Sequence, residues 1–160
     1  MSMDASSLRA TRAFNRLMQS YWRMTRSITL GAQGIVIDAQ GRILLVKHTY
    51  RPGWHFPGGG VERHETAPHA LERELEEEAG VVMASAPELF GLYANFPAFP
   101  SDHIALYLVK EWTQPVPPPP NREIAAHRFF ARDALPTDIH QPTARRIREV
   151  FDGIARNMMW

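Results

Sequence analysis

Gly58 to Val82 reads GGGVERHETAPHALERELEEEAGVV. The Gly-rich entry, Thr66 as a side-chain cap and Pro68 in the first turn announce a helix that runs to about Ala79 and stops at Gly80. Positions i, i+3 and i+4 share a helix face, so Glu74, Glu77 and Glu78 crowd into one arc. Leu71, Leu75 and Ala79 form an adjacent apolar stripe that can seat the helix on a core while the acidic stripe looks into a cleft. Like charges at this spacing cost an isolated helix about 0.2–0.5 kcal/mol per pair. A hard divalent cation would offset them. With oxygen donors and no cysteine anywhere in the chain, that cation is Mg²⁺, with Mn²⁺ as a substitute, before Zn²⁺. Taken alone, a run of acids is more often a solvated face, and that is the competing reading of these three residues.

The spacing carries more than the charge. From Gly59 the stretch fits G-x5-E-x7-R-E-U-x-E-E-x-G-U, U being aliphatic, at Gly59, Glu65, Arg73, Glu74, Leu75, Glu77, Glu78, Gly80 and Val81. This resembles the Nudix box, the signature of the Nudix hydrolases. The box covers 23 of 160 residues. Its flanks are similar to the family too: a strand-like Ile35 to Lys47 before Trp54-His55-Phe56-Pro57-Gly58, and Glu123 ahead of His127-Arg128-Phe129-Phe130. His64 stands where many members carry Gly, at a variable position.

The rest of the chain sets bounds. A length of 160 residues suits one domain with a sizeable core. Eighteen basic and 17 acidic residues leave a net charge of +1, so nothing global recruits nucleic acid or an anionic membrane. The absence of cysteine excludes disulfides and thiolate metal sites. No apolar run reaches the roughly 18 residues needed to span a bilayer, and no signal-peptide core is evident, so a cytoplasmic location is the default expectation.

In order, residues 1–27 read as a basic N-terminal arm. Arg9 to Arg26 carries five arginines, with Phe14, Leu17, Met18 and Tyr21 at helical spacing. Such a segment suits packing on the domain or on a second subunit better than a membrane surface, and a homodimer is a plausible assembly. Residues 28–160 then form the domain. Ile28 to Ile37, the turn Asp38-Ala39-Gln40-Gly41 and Arg42 to His48 read as a β-hairpin. Tyr50-Arg51-Pro52-Gly53 breaks the pattern and leads into a short strand, Trp54 to Phe56. Glu88 to Phe96, His103 to Trp112 and Ala125 to Phe130 read as further strands. Pro117 to Pro120 is a stiff surface loop. Thr143 to Ile154 is a closing helix with Ile147, Val150, Phe151 and Ile154 on one face. The alternation gives an α/β or α+β layered fold, in agreement with the α/β/α sandwich with a mixed sheet that the resemblance implies.

The resemblance implies hydrolysis of a phosphoanhydride assisted by one or more divalent cations. Glu77 and Glu78 are the expected metal ligands, with Glu74 as third ligand or water-orienting base. The box glycine region, Gly59, supplies a backbone carbonyl in the family. Family analogy gives Arg73 an orienting role and Glu65 a supporting one. Members often add a carboxylate from a distant loop as ligand or general base, and Glu123 is the position that fits, ahead of Asp102 and His103; a solvent-exposed loop glutamate is the equal alternative. On the substrate side, Arg51 could meet a phosphate, and Trp54 and Phe96, with Tyr50, Tyr93 and Phe99, could stack on a base. Such aromatics are more often core. ADP-ribose-cleaving members share a proline about sixteen residues beyond the box, where Pro97 stands. The expected substrate is therefore a nucleoside diphosphate linked to another moiety, of ADP-ribose or nucleotide-sugar type. Nucleoside triphosphates, dinucleoside polyphosphates, or a nucleotide-sensing module without catalysis are the alternatives. The sensor would commonly lose box carboxylates, and all are present.

Overall fold

The computed structural model describes residues 28–160, together with Met18. The basic arm expected at Arg9 to Arg26 thus lies outside the described residues. Nine strands and two helices follow: β1 (Thr29–Val36), β2 (Ile43–His48), β3 (Trp54–His55), β4 (Gly58–Gly60), α1 (Ala67–Ala79), β5 (Val82–Met83), β6 (Glu88–Ala94), β7 (Asp102–Val109), β8 (Trp112–Thr113), β9 (Ile124–Phe130) and α2 (Gln141–Phe151).

The strands form a mixed four-stranded sheet in the order β4-β1-β7-β6, an antiparallel sheet β3-β2-β9 and the short pair β5-β8. Among the described strands β1 and β7 are the parallel pair, from Thr29 opposite Asp102 to Val36 opposite Val109. Side chains alternate across each strand. Ala32, Val36, Leu44, Ala105, Tyr107 and Val109 therefore meet Ala70, Leu71, Leu75 and Ala79 of α1 in one core. Ile35, Ile43, Leu45, Leu106, Leu108 and Tyr93 meet Phe56 and Ile147 of α2 in the other. Sheets buried on both faces between two helices are the expected α/β/α sandwich. Near-continuous apolar runs such as ILLV in β2, wholly buried, are what such a position demands.

Three local expectations fail, the first being the single strand from His103 to Trp112, which ends at Val109 because Trp112–Thr113 leave the sheet to pair with Val82–Met83. The segments flanking Asp38–Gly41 do not make a hairpin. Asp38 closes the turn by accepting the N–H groups of Gln40 and Arg42 at 3.0 and 2.8 Å, and a single bridge joins Ile37 to Ile43. Beyond that neck β1 pairs with β4 and β7 while β2 pairs with β3 and β9. Each strand finds partners on both sides other than its neighbour across the turn, so the two sheets part there. The closing helix also ends early: Asp152 caps it, Gly153 turns left-handed at φ 67°, and Ile154 lies outside it.

The first helix keeps its expected limits. Thr66 Oγ1 accepts the His69 N–H at 3.4 Å, and Gly80 at φ 66° returns its N–H to the Glu76 carbonyl at 2.9 Å. Glycine is required there, because the left-handed conformation costs other residues energy.

Candidate active site

The site is built where β4 enters α1. Gly58 and Gly59 pair with Gln33 and Ala32 of β1, which lays the loop backbone against the acidic face of the helix. Gly58 N–H donates to Glu78 Oε2 at 2.8 Å. A Cβ at Gly59 would overlap the Glu74 carboxylate, and one at Gly58 would overlap the Ala32 carbonyl. The glycines serve close approach, so that a carboxylate rests directly on backbone.

Arg73 ties the cluster together. Its Nε donates to Glu65 Oε1 at 3.0 Å and Nη2 to Glu65 Oε2 at 3.1 Å, while Nη1 donates to Glu74 Oε1 at 2.7 Å. Nη2 also reaches the Gly60 carbonyl at 3.2 Å, and Glu77 Oε2 lies 3.7 Å from Nη1. Of the two pairings open to Arg73, with Glu77 one turn on or with a carboxylate across the turn, the one with Glu77 is the longer contact. The fork is used on the carboxylate across the turn, because Glu65 offers two oxygens in the plane that a guanidinium matches. These bonds hold the Glu65 carboxyl below its ordinary range and push Arg73 further up.

Glu78 differs from its neighbours. It is 8% exposed, and burial pushes its pKa up to about 8; Glu74 and Glu123 add to the rise while the Gly58 hydrogen bond and Arg51 oppose it. Glu77 is exposed. Across the cleft, Glu123 follows a turn in which Asn121 Oδ1 accepts the N–H groups of Glu123 and Ile124, both at 2.8 Å. A cleft of about 320 Å³ is lined by Glu74, Glu77, Glu78, Asn121, Arg122, Glu123 and Ile124. The four expected acidic residues therefore face one space, although Glu123 is 45 residues from Glu78 in sequence.

The substrate-side residues are dispersed. Arg51 lies beside this cleft, its Nη2 2.5 Å from His48 Nε2, and His48 Nε2 is 3.8 Å from Glu78 Oε1. Trp54 packs edge-to-face on Phe130 at 4.9 Å against the α2-side core. Phe96 is half-exposed after β6, edge-on to His103 at 5.5 Å. Asp102 accepts from Thr29 and Asn95, Pro97 stands in the same turn, and Tyr93 is buried beside Glu149. Sequence reasoning passed over His48, the last residue of an apolar strand. Its one signal was its place three residues before Arg51.

The donor set fits a hard divalent cation. All side-chain donors are carboxylate oxygens, and the buried Glu78 is an acid that a cation would keep ionised. Among the described residues no three His, Asp or Glu side chains close into a cage; Mg²⁺ keeps several waters and does not need one. No helix among the described residues is long and apolar enough to cross a membrane.

The chain is similar to known proteins. The chain is 38% identical over 96 residues to the 8-oxo-dGTP diphosphatase of Haemophilus influenzae, covering 56% of this chain and 68% of that one. It is 29% identical over 82 residues to the RNA pyrophosphohydrolase of Hydrogenovibrio crunogenus, covering 51% of this chain and 47% of that relative. The crystal structure of a MutT NUDIX hydrolase from Burkholderia pseudomallei superposes with a TM-score of 0.67 at 25% identity, covering 78% of this chain and 98% of the other. An ADP-ribose pyrophosphatase from Streptococcus suis gives 0.63 at 20% identity over 84% and 97%, a likeness of fold alone. Residues 28–151 match the model of the NUDIX domain, and the chain belongs to the Nudix hydrolase family.

Proposed function

We propose that this protein is a Mg²⁺-dependent pyrophosphohydrolase that cleaves the phosphoanhydride of a nucleoside diphosphate linked to a further group. The observation that carries the reading is the convergence of Glu74, Glu77, Glu78 and Glu123 on one cleft beside the Gly58–Gly60 backbone. Water adds to one phosphorus, the bridging oxygen departs on the other phosphate, and two phosphate products leave. An anionic substrate and an acidic cleft repel one another without a cation between them. Bound Mg²⁺ would screen the diphosphate, stabilise the departing phosphate and acidify water. Glu77 and Glu78 would hold it, with Glu74 and the Gly59 carbonyl beside them.

The chain's own residues do the rest. Arg73 fixes the Glu74 carboxylate through a 2.7 Å bond, and Glu65 fixes Arg73 in turn. Glu74 is then oriented to hold a water, and Glu123, facing the same space, accepts a proton from it. The Arg51 guanidinium would meet substrate phosphate at the cleft wall.

Two substrate classes have support. The relative in Haemophilus influenzae, named for a nucleoside triphosphate, shares 38% identity over 68% of its length, which favours triphosphates, oxidised guanine nucleotides among them. The placing of Pro97 supports the ADP-ribose type expected from sequence, and rests on one residue. Phosphate release, coupled to a phosphatase or pyrophosphatase, should be measured on (d)NTPs with 8-oxo-dGTP, ADP-ribose, nucleotide sugars and dinucleoside polyphosphates, with and without Mg²⁺. Metal-dependent turnover that falls by orders of magnitude in Glu77→Gln and Glu78→Gln is expected. Full activity in both variants, or nucleotide binding without turnover, overturns the reading.

A further inference from the structure

The turn that carries Arg51 is fastened more firmly than a surface loop requires. Thr49 N–H donates to the Glu123 carbonyl at 2.9 Å and Thr49 Oγ1 to the Arg122 carbonyl at 2.6 Å. His55 Nε2 donates to the Pro52 carbonyl at 2.8 Å. Gly53, at φ 86°, lies so close to the Asp138 carbonyl that a Cβ would collide with it. The Arg51 turn is thus stitched to the turn that carries Glu123 and lines the cleft.

His48, behind Glu78 and Arg51, is the least economical residue of this region. Its side chain is 2% exposed. An arginine N–H can only donate, so Nε2, 2.5 Å from Arg51 Nη2, must present its lone pair. The ring proton then sits on Nδ1, which is buried with no hydrogen-bond partner among the described residues. Leaving a buried donor unmade carries a free-energy cost. An apolar residue would fill this core position without it. The cost has a return at Nε2 alone, in the direction of Arg51.

We propose that His48 is a positioning residue, which holds the Arg51 guanidinium beside Glu78 so that its outer edge is presented to the phosphates of the substrate. Arg51 is only partly buried, so that edge can meet a ligand. The unpartnered Arg51 Nε is buried and one Nη2 proton goes to His48, which leaves Nη1 and the second Nη2 proton for phosphate. The inference rests on the reading of Arg51 as a phosphate contact in a nucleoside diphosphate hydrolase. It adds the requirement that removing His48 acts only through Arg51.

The test is a double-mutant cycle with His48→Leu, Arg51→Ala and the pair, with His48→Gln as rescue, since a Gln oxygen can stand where Nε2 stands. Initial rates on the best substrate of the panel give kcat and KM. Calorimetry with an α,β-methylene nucleoside triphosphate and Mg²⁺ gives Kd, and thermal unfolding checks the fold. Arg51→Ala and His48→Leu should each raise KM and Kd about tenfold, with kcat within about threefold of wild type. The pair should be no worse than Arg51→Ala, and His48→Gln should recover most of the loss. Equal KM penalties for His48→Leu in the presence and absence of Arg51 overturn the proposal, as does a fall in kcat at unchanged KM. If His48→Leu does not fold, a His48→Gln variant that still weakens KM tenfold overturns it, and one that matches wild type supports it. Wild-type turnover that Arg51→Ala leaves untouched removes this proposal and leaves the hydrolase standing. A silent wild type whose analogue binding shows the coupling removes the hydrolase and leaves this proposal standing. Absence of binding as well as turnover removes both.

Discussion

Glu78→Gln separates what the residue does for catalysis from what it costs the fold. The buried carboxyl titrates near 8, against an ordinary value of 4.5. Below pH 4.5 both folded and unfolded chains hold its proton, and the group is neutral to stability. Between 4.5 and 8 the unfolded chain releases the proton while the folded chain retains it, so the metal-free fold loses about 1.4 kcal/mol per pH unit. The loss reaches on the order of 4 kcal/mol by pH 8 and then levels off, an upper bound because burial relaxes on ionisation. Glutamine cannot ionise, and its oxygen can still accept the Gly58 N–H. In urea unfolding with a chelator present, the variant should match wild type near pH 5 and exceed it by about 2–4 kcal/mol at pH 8, while catalysing almost nothing. Mg²⁺ should close the gap by stabilising wild type selectively. Stability curves that run parallel from pH 5 to 9, or a variant weaker than wild type at pH 8, refute the reasoning.

Arg73→Lys keeps the charge and loses the fork to Glu65 and Glu74; turnover should fall about 10- to 100-fold with an unchanged unfolding midpoint. Gly59→Ala places a methyl where the Glu74 carboxylate lies, so kcat should fall on the order of 100-fold, and a Mg²⁺ titration of activity should shift to higher concentration. Arg146, fully buried against Glu149 at 2.9 Å and stacked on Tyr93 at 4.4 Å, is unrelated to the cleft. Arg146→Ala removes the buried partner of Glu149, leaves Arg145 at 3.3 Å as its remaining ion pair, and should destabilise by about 3 kcal/mol in chemical denaturation, whereas Glu77→Gln should leave stability nearly unchanged.

How much of this was legible follows from the range of the forces involved. Thr66, Pro68 and Gly80 act on their own turn of backbone, and the 3.6-residue period places Glu74, Glu77 and Glu78 on one face whatever surrounds them; the helix limits and its acidic stripe are therefore written in the stretch itself. Strand identity was equally local. Strand pairing was not, because hydrogen bonds between strands are made with whichever edge the fold brings near. The turn at Asp38 looked like a hairpin, yet its arms went to separate sheets. Likewise Arg146 and Glu149, polar positions on an amphipathic helix, ended inside. The C-terminal residues fold back over them, Met159 offering a carbonyl to Arg146 and Asn157 an N–H to Glu149.

The site divides along the same line. The box spacing alone carried the resemblance to the family and, through it, the reaction class and the carboxylates proposed to serve it, since the pattern depends on residue types at fixed offsets. Tertiary structure decided which carboxylate is desolvated, that Arg73 turns to Glu65 before Glu77, that Glu123 shares the cleft and that His48 stands behind Arg51. Burial and charge act through space, and these residues become neighbours only when β1, β2, β4 and the turn before β9 close around α1.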